Sequence, residues 1–588
     1  MTLPRVYHAL LLAVLCLASG ARAAPGNYEE RLVQWGLERA GRGVEPAPDG
    51  KVIEEILIES EDIVAPSDPW PNFFNAFHRK TQPAVIRAEL LFGVGDRYDR
   101  ALAEETERNL RRLFILALAR VVPLQGHHGG VALLIVTKDL WSIRLNSQYL
   151  LVGTLLEHLL IRPSEQNLLG YNSRVSLDFE LKLDTLSVGE EFSARRLFGL
   201  PVTFTETAEA IFNRQTGKAE GSFGTLLLQR PFYRLADVWA YTVSGSWRNE
   251  TTRIFRGAAV WQLPFKGAAG ETRNLPDIYE TRRASSSASV TRAFGRGFKT
   301  EVSAGLGGYR RRYAPPADAA LSSEQALWFL AGYVPRSETA VYLFAAVQAF
   351  EARYRVMRNV ETYAISEDFQ VGLRVTATAR WANPLILSPT RFNEAGAAGR
   401  YTWIAGDNLL MANAAATARY QPDTGATGAG APWVNRRRAF QLLEVTPFVG
   451  IGRFAARVLW DVKDADLNHV PFFLGADSGL RGTAAQALTG SRVLLGNVEY
   501  RTRALELGTF HVGGVLFYDV GSAYTDSPAV VHSLGVGLRL LFPQFDVEPI
   551  RIDFGYVLVG PRPPWLQSVS STFGQVEQVR PDFLDTPL

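Results

Sequence analysis

From about Ile143 to residue 577 the sequence alternates, segment after segment, between apolar and polar or small side chains. Val175, Leu177, Phe179, Leu181 and Leu183 interleave with Arg174, Ser176, Asp178, Glu180 and Lys182. Phe369, Val371, Leu373, Val375 and Ala377 interleave with Gln370, Gly372, Arg374, Thr376 and Thr378, and Ile550, Ile552, Phe554, Tyr556 and Leu558 with Arg551, Asp553 and Gly555. Period two places one kind of side chain on each face of a strand. A region this long with that pattern is a β-barrel or a β-sandwich, and a soluble sheet of this size ordinarily splits into domains.

What precedes the region bears on the choice. Arg5 and His8 come before the apolar run Ala9 to Ala18, and Ala21-Arg22-Ala23 supplies small residues where a signal peptidase reads, so residues 1–23 are expected to be a cleaved secretory signal. The run is too short for a membrane-spanning helix, which needs roughly 20 apolar residues. The single cysteine, Cys16, lies inside that segment after Leu15, where a lipoprotein signal requires a small residue. The mature chain therefore has no thiol for a disulfide or a metal site. Export combined with strand alternation points to an all-β membrane protein, an antiparallel transmembrane β-barrel whose strands need about 9 to 11 residues each.

The 588 residues carry 62 basic and 59 acidic side chains, a balance that gives no sign of a nucleic-acid surface. Residues 24–51 mix Pro, Gly and charge and are read as a linker, with one or two helical turns within Tyr28 to Ala40. Residues 52–142 read as a compact β-α-α-β-β unit: strands at Val52 to Glu59, Leu116 to Pro123 and Val131 to Thr137, a short helix at Phe73 to His78, and a longer one from Asp99 to Phe114. In the longer helix Ala103, Thr106, Leu110 and Leu113 share a face. The first barrel strand is expected near Ile143 to Val152 and the last near Ser568 to Val576, leaving residues 578–588 as a tail.

Three pieces near the C-terminus belong together. Phe473 to Gly482 is a loop whose glycines flank one arginine, Arg481. Gly496 to Arg503 places Asn497, Glu499, Arg501 and Arg503 on one face. In Val512 to Gly521, Phe517, Asp519 and Gly521 face opposite to Leu516, Tyr518 and Val520. With the apolar faces toward lipid, Glu499, Phe517 and Asp519 point into the lumen, where an arginine on an infolded loop would find carboxylates for charge-assisted bonds.

These pieces resemble signature elements of the bacterial surface antigen superfamily, which includes outer-membrane barrel assembly factors and two-partner secretion transporters. The resemblance rests on Leu480-Arg481-Gly482 after Gly-Ala-Asp-Ser, on Asn-Val-Glu-Tyr-Arg at 497–501, and on Phe-Tyr-Asp-Val-Gly at 517–521. It implies a 16-stranded barrel whose sixth extracellular loop carries Arg481 into the lumen, against Glu499, Phe517, Asp519 and Gly521. This chain departs from the family's usual text in having Leu480 before the arginine and Thr483 after the glycine, which removes the expected neighbouring aromatic. Residues 52–142 resemble a single polypeptide-transport-associated domain, through Phe74-Asn75-Ala76-Phe77-His78, Gly95-Asp96-Arg97-Tyr98-Asp99 and Glu107-Arg108-Asn109-Leu110-Arg111. The function implied is capture of unfolded or partly folded polypeptide in the periplasm and its insertion into, or passage across, the outer membrane, in contact with outer-membrane lipid, with accessory lipoproteins as further partners and with no cofactor.

The competing function is a passive or selective pore, which needs no periplasmic domain. An enzyme is not expected: the sequence has no Gly-x-Ser-x-Gly, no His-Glu-x-x-His and no phosphate-binding loop. His127 and His128 read as a solvated turn, and Asp139 as an anchor at the junction of domain and barrel or as an exposed turn acid.

Overall fold

The computed structural model describes residues 28–573, except 65–74, 76–77, 114, 153, 363–365, 423–431, 508–509, 543–548 and 561–567. The expected signal at 1–23 and tail at 578–588 lie outside the described residues, as does most of the expected helix at 73–78.

The N-terminal unit is built on a three-stranded sheet of β1 (Ile53–Glu61), β2 (Leu116–Gln125) and β3 (Val131–Asp139). β3 lies in the centre, parallel to β1 and antiparallel to β2. Its residues are buried throughout, because both faces of the sheet are covered. Val131, Leu133 and Ile135 pack with Ile86 of helix α2 (Pro83–Glu89) and with Ala103 and Leu110 of helix α3 (Arg100–Arg111). Asp99 caps α3, its carboxylate accepting from the backbone N–H groups of Ala101 and Leu102.

The alternate residues Ala132, Leu134 and Val136 pack against Leu32 of helix α1 (Tyr28–Ala40). The linker expected at 24–51 is thus corrected. A 13-residue helix covers the second face of the sheet, and Gly36 lies so close to β3 that a Cβ there would come within 2.6 Å of Val136. A sheet with two apolar faces needs a cover on each, and α1 supplies the second.

From Ile143 onward the strands are antiparallel neighbours, and their order returns on itself where the last, Ser568–Phe573, pairs with the first, Ile143–Val152. The barrel has 22 hydrogen-bonded segments. Two pairs of these, Glu338–Glu351 with Arg353–Met357 and Arg492–Thr502 with Leu505–Leu507, are single strands interrupted by a short break, which leaves twenty strands. The architecture is the expected one; the count of sixteen is corrected to twenty. Alternation identifies strands without counting them, and the chain spends few residues on each near its start. Six strands between Ile143 and Arg230 are only 9 to 12 residues long and are joined by short turns.

The apolar members of the alternation lie on the outside. Leu177, Val243, Leu306, Leu343, Leu494 and Leu534 are exposed, whereas Ser176, Asp178, Asp519 and Asp553 are buried. Trp239, Trp381, Trp403, Trp433 and Trp460 are exposed with them. An apolar surface encircling the molecule is what lipid contact requires and water would penalise. No helix among the described residues is long and apolar enough to cross a membrane.

The N-terminal unit docks on one end of the barrel. Arg111 forms a two-pronged ion pair with Asp368, at 2.9 and 3.0 Å. Asn109 donates to the carbonyl of Tyr233 at 2.9 Å, Glu105 accepts from the N–H of Leu235 at 2.5 Å, and Glu89 holds Arg195 and Arg196 at 3.3 and 3.1 Å. Asp139, buried at the junction, accepts from Nε2 of His78 at 3.0 Å and from the N–H of Thr81 at 2.7 Å, which supports the anchor reading over the exposed one. His127 and His128 occupy the β2–β3 turn, where both backbone N–H groups donate to Glu54.

Candidate functional site: an arginine loop inside the barrel

The end of the barrel away from the N-terminal unit carries the longer loops. One of them, between the strands Gly452–Asp464 and Arg492–Thr502, turns inward. Its stem is a short hairpin, Phe472–Leu474 against Leu488–Gly490, followed by a 3-10 turn at Ala476–Ser478. Gly479 and Gly482 take φ of +101° and +91°, a region closed to most side chains, and so bend the chain on either side of Leu480 and Arg481.

Arg481 is 3% exposed. Its Nε and Nη2 donate to the two carboxylate oxygens of Asp519 at 2.8 and 2.7 Å, and its backbone N–H donates to Asp519 as well at 3.1 Å. Nη1 donates to Glu499 at 2.6 Å. The guanidinium lies 3.6 Å from the centre of the Phe517 ring, a cation–π approach in a site shielded from water. Phe517 in turn lies over Gly535 on the adjacent strand, where a Cβ would be 2.2 Å from the ring.

Leu480 is wholly buried among Leu474, Leu488 and Leu495. Gly521 faces it, and a Cβ at Gly521 would come within 2.9 Å of Leu474 and 3.4 Å of Leu480. Gly482 rests on the backbone of Gly555 and Tyr556, with no room for a side chain at either glycine. Every residue expected at this site is therefore in it: Leu480, Arg481 and Gly482 on the loop, and Glu499, Phe517, Asp519 and Gly521 on the wall. The absent aromatic after Gly482 is replaced by Thr483, whose hydroxyl donates to the carbonyl of Leu480 at 2.8 Å.

The sequence reading missed part of the network. Asp553 accepts from Arg481 at 3.4 Å, Arg539 at 2.7 Å and Arg551 at 2.5 Å. Asn497 donates to Asp519 at 2.7 Å and to the carbonyl of Gly479 at 2.8 Å, and accepts from Arg457 at 2.9 Å. Asp553 could have been found, since its place in the alternation of Ile550 to Leu558 already puts it on the inner face. Glu157 could not: it accepts the N–H of Ala485 at 2.8 Å, and a bond from backbone to a distant strand leaves no trace in sequence. Through these two acids the loop reaches Asp553 on the penultimate strand and Glu157 on the second, on either side of the junction between last and first.

The loop is also the eighth on its end of the barrel, not the sixth, as the strand order requires. Five strands follow it, as five follow a sixth loop in a barrel of sixteen, so the two additional hairpins lie on its N-terminal side. The chain is a membrane barrel with one of its own loops locked inside.

No family model matches the sequence, and no curated protein does. Among solved structures it is similar to CdiB from Escherichia coli, with 11% identity over 95% of this chain and 99% of that one and a TM-score of 0.43. CdiB from Acinetobacter baumannii matches with 12% identity over 90% and 74% and a TM-score of 0.41. BamA from Haemophilus ducreyi lacking POTRA domains 1–3 matches with 10% identity over 89% and 84% and a TM-score of 0.36.

Proposed function

We propose that the protein is a bacterial outer-membrane insertase or translocase of the surface antigen superfamily, taking polypeptide from the periplasm through its N-terminal domain and releasing it into or across the membrane by parting the barrel wall. The carrying observation is the junction between first and last strands. Among the described residues it is paired only over Ser568–Ser571 against Val152–Tyr149, whereas the other edge of the first strand is paired along its full length, Ile143–Val152 against Glu165–Leu155. Backbone pairing in a bilayer core has no water to replace it, so the least-paired junction is the one that parts at lowest cost. The exposed edges of that opening would accept a strand of client by β-augmentation.

The docked domain and the locked loop support the same reading. A simple pore needs neither a domain held over one end nor a loop pinned across its wall junction. The proposed action involves no covalent chemistry and no cofactor.

The test is a reversible lock. Tyr149 and Ser571 are register partners, and the chain beyond the expected signal has no native cysteine. The pair Tyr149→Cys and Ser571→Cys, oxidised, should abolish client assembly or secretion, and reduction should restore it. Full client activity in the oxidised protein would overturn the proposal. Steady conductance with no polypeptide trapped by crosslinkers placed on the 52–142 domain would favour the pore.

A further inference from the structure

Away from the locked loop, three consecutive strands place arginines directly opposite one another on the inner wall. Arg248 is the register partner of Arg283, and Arg283 of Arg311. Neighbouring strands are about 5 Å apart, and like charges facing each other across a ladder are destabilising. Arg248 is relieved by Glu250 at 2.7 Å. Arg283 and Arg311 have no such relief among the described residues. Arg311 stands over the ring of Tyr309, 4.2 Å from its centre. Glu338, its register partner on the next strand, is occupied by Arg419 at 2.5 and 3.1 Å and by the hydroxyl of Tyr309 at 2.6 Å.

Both arginines line a cavity of about 570 Å³ with Arg380, Arg419, Arg436, Arg437 and Lys463. Arg380 is held by Glu394 and Arg437 by Asp461. Lys463 donates to the carbonyl of Val470 at 2.9 Å. Of the acids on the cavity wall, Glu250 and Glu394 are already engaged by Arg248 and Arg380, and Asp466 lies on the loop above. The chamber thus leaves the forks of Arg283 and Arg311 unmatched, facing each other on adjacent strands, in a space sized for a small ligand.

We propose that this chamber binds a compact polyanion carrying at least two oxyanion groups, phosphate or carboxylate, one seated on Arg283 and the other on Arg311. A planar guanidinium grips such groups by two parallel N–H bonds. The bound charge would relieve the repulsion along the ladder, which gives the wall a reason to retain it. The site is independent of polypeptide handling.

Calorimetry on the purified full-length protein in neutral detergent tests this, with inorganic pyrophosphate and citrate as probes. Saturable binding that weakens with added salt is expected for at least one of them, and the stronger of the two identifies the source as phosphate or carboxylate. Joint replacement Arg283→Ala and Arg311→Ala should weaken binding at least tenfold. Arg310→Ala with Arg312→Ala removes the same charge from the same region of the outer face, which these residues share with the exposed Leu306, and should leave affinity unchanged. Arg283→Lys, which keeps the charge and loses the fork, should fall between. Heat-dependent gel mobility establishes that each variant is folded. No saturable binding by the unaltered protein, or equal loss in the outer-face variant, would overturn the assignment. Client assembly by the Arg283→Ala, Arg311→Ala protein should be normal, so either proposal can fail alone.

Discussion

The fork of Arg481 sits squarely on the carboxylate of Asp519, Nη2 to Oδ1 at 2.7 Å and Nε to Oδ2 at 2.8 Å, with both residues almost wholly buried. Removing one member of a buried ion pair strands the other, at a cost of about 3–5 kcal/mol. Arg481→Ala should therefore unseat the loop, and because the strands beneath it are paired independently, the barrel should still form. The expected outcome is a protein with the normal heat-dependent gel shift and a client assembly or secretion rate reduced at least tenfold. Asp519→Asn, which keeps shape and loses charge, should show a similar defect. Unimpaired client handling in Arg481→Ala would remove the loop from the mechanism.

Gly482 tests the seating sterically, without touching a charge. At φ of +91° a Cβ would lie 2.9 Å from the N of Tyr556 and 3.0 Å from the carbonyl carbon of Gly555. Gly482→Val should lift the loop while Arg481 stays intact. A cysteine introduced at Thr483, which is 3% exposed, should then react with a water-soluble maleimide several-fold faster than in the parent.

These two residues also measure how much was legible beforehand. Arg481, Glu499, Phe517 and Asp519 could be assembled from sequence because strand alternation fixes which side chains share a lumen and because opposite charges on a loop and a wall have one way to meet. The first strand, Ile143–Val152, begins and ends where alternation put it. The two additional hairpins were invisible, since a sixteen-stranded and a twenty-stranded wall are written in the same period. Helix α1 was only partly legible: residues 28–40 suggest a helical turn or two, but only the second apolar face of β3 shows that a full helix must cover it.

Asp277, in the loop before the strand Ile278–Phe294, gives a pH dependence. Burial raises its pKa from 3.8 to about 7, and Oδ1 has no hydrogen-bond partner among the described residues. The folded loop thus binds a proton that the unfolded chain has released, and its stability is full below pH 4 and declines as pH rises through 7, by roughly 4 kcal/mol at most. Amide protection in the hairpin Gln262–Lys266 with Thr272–Pro276 should be higher at pH 6 than at pH 8. In Asp277→Asn the protection factors should no longer depend on pH.

Glu89 is the acid at the domain's contact with Arg195 and Arg196, and it is 2% exposed. Glu89→Ala should loosen the docked domain without unfolding it, because the apolar cluster around Ile86 does not involve the carboxylate. Spin-label distances between the domain and the barrel end should broaden, while the melting of the domain itself shifts little. A distribution as narrow as the parent's would show that the remaining contacts, Arg111–Asp368 with Asn109–Tyr233 and Glu105–Leu235, hold the domain without Glu89.

Enlarging the circumference has a consequence for traffic. Diameter grows roughly in proportion to strand number, so twenty strands enclose about one and a half times the area of sixteen. The Arg481 stretch of the loop is fastened to the arc formed by the last strands and the first hairpin. Across from it Ser244 and Ser287 join hydroxyls at 2.8 Å, and the ring of Phe344 lies over Gly305. Farther out the same loop reaches the opposite wall, where the carbonyl of Gln486 accepts from the N–H of Gly257 at 3.5 Å, that of Leu467 from the N–H of Arg336 at 3.1 Å, and Phe473 packs with Ile254 and Tyr279. It is a beam braced across the mouth, and an outward path through a circumference this wide runs beside the beam.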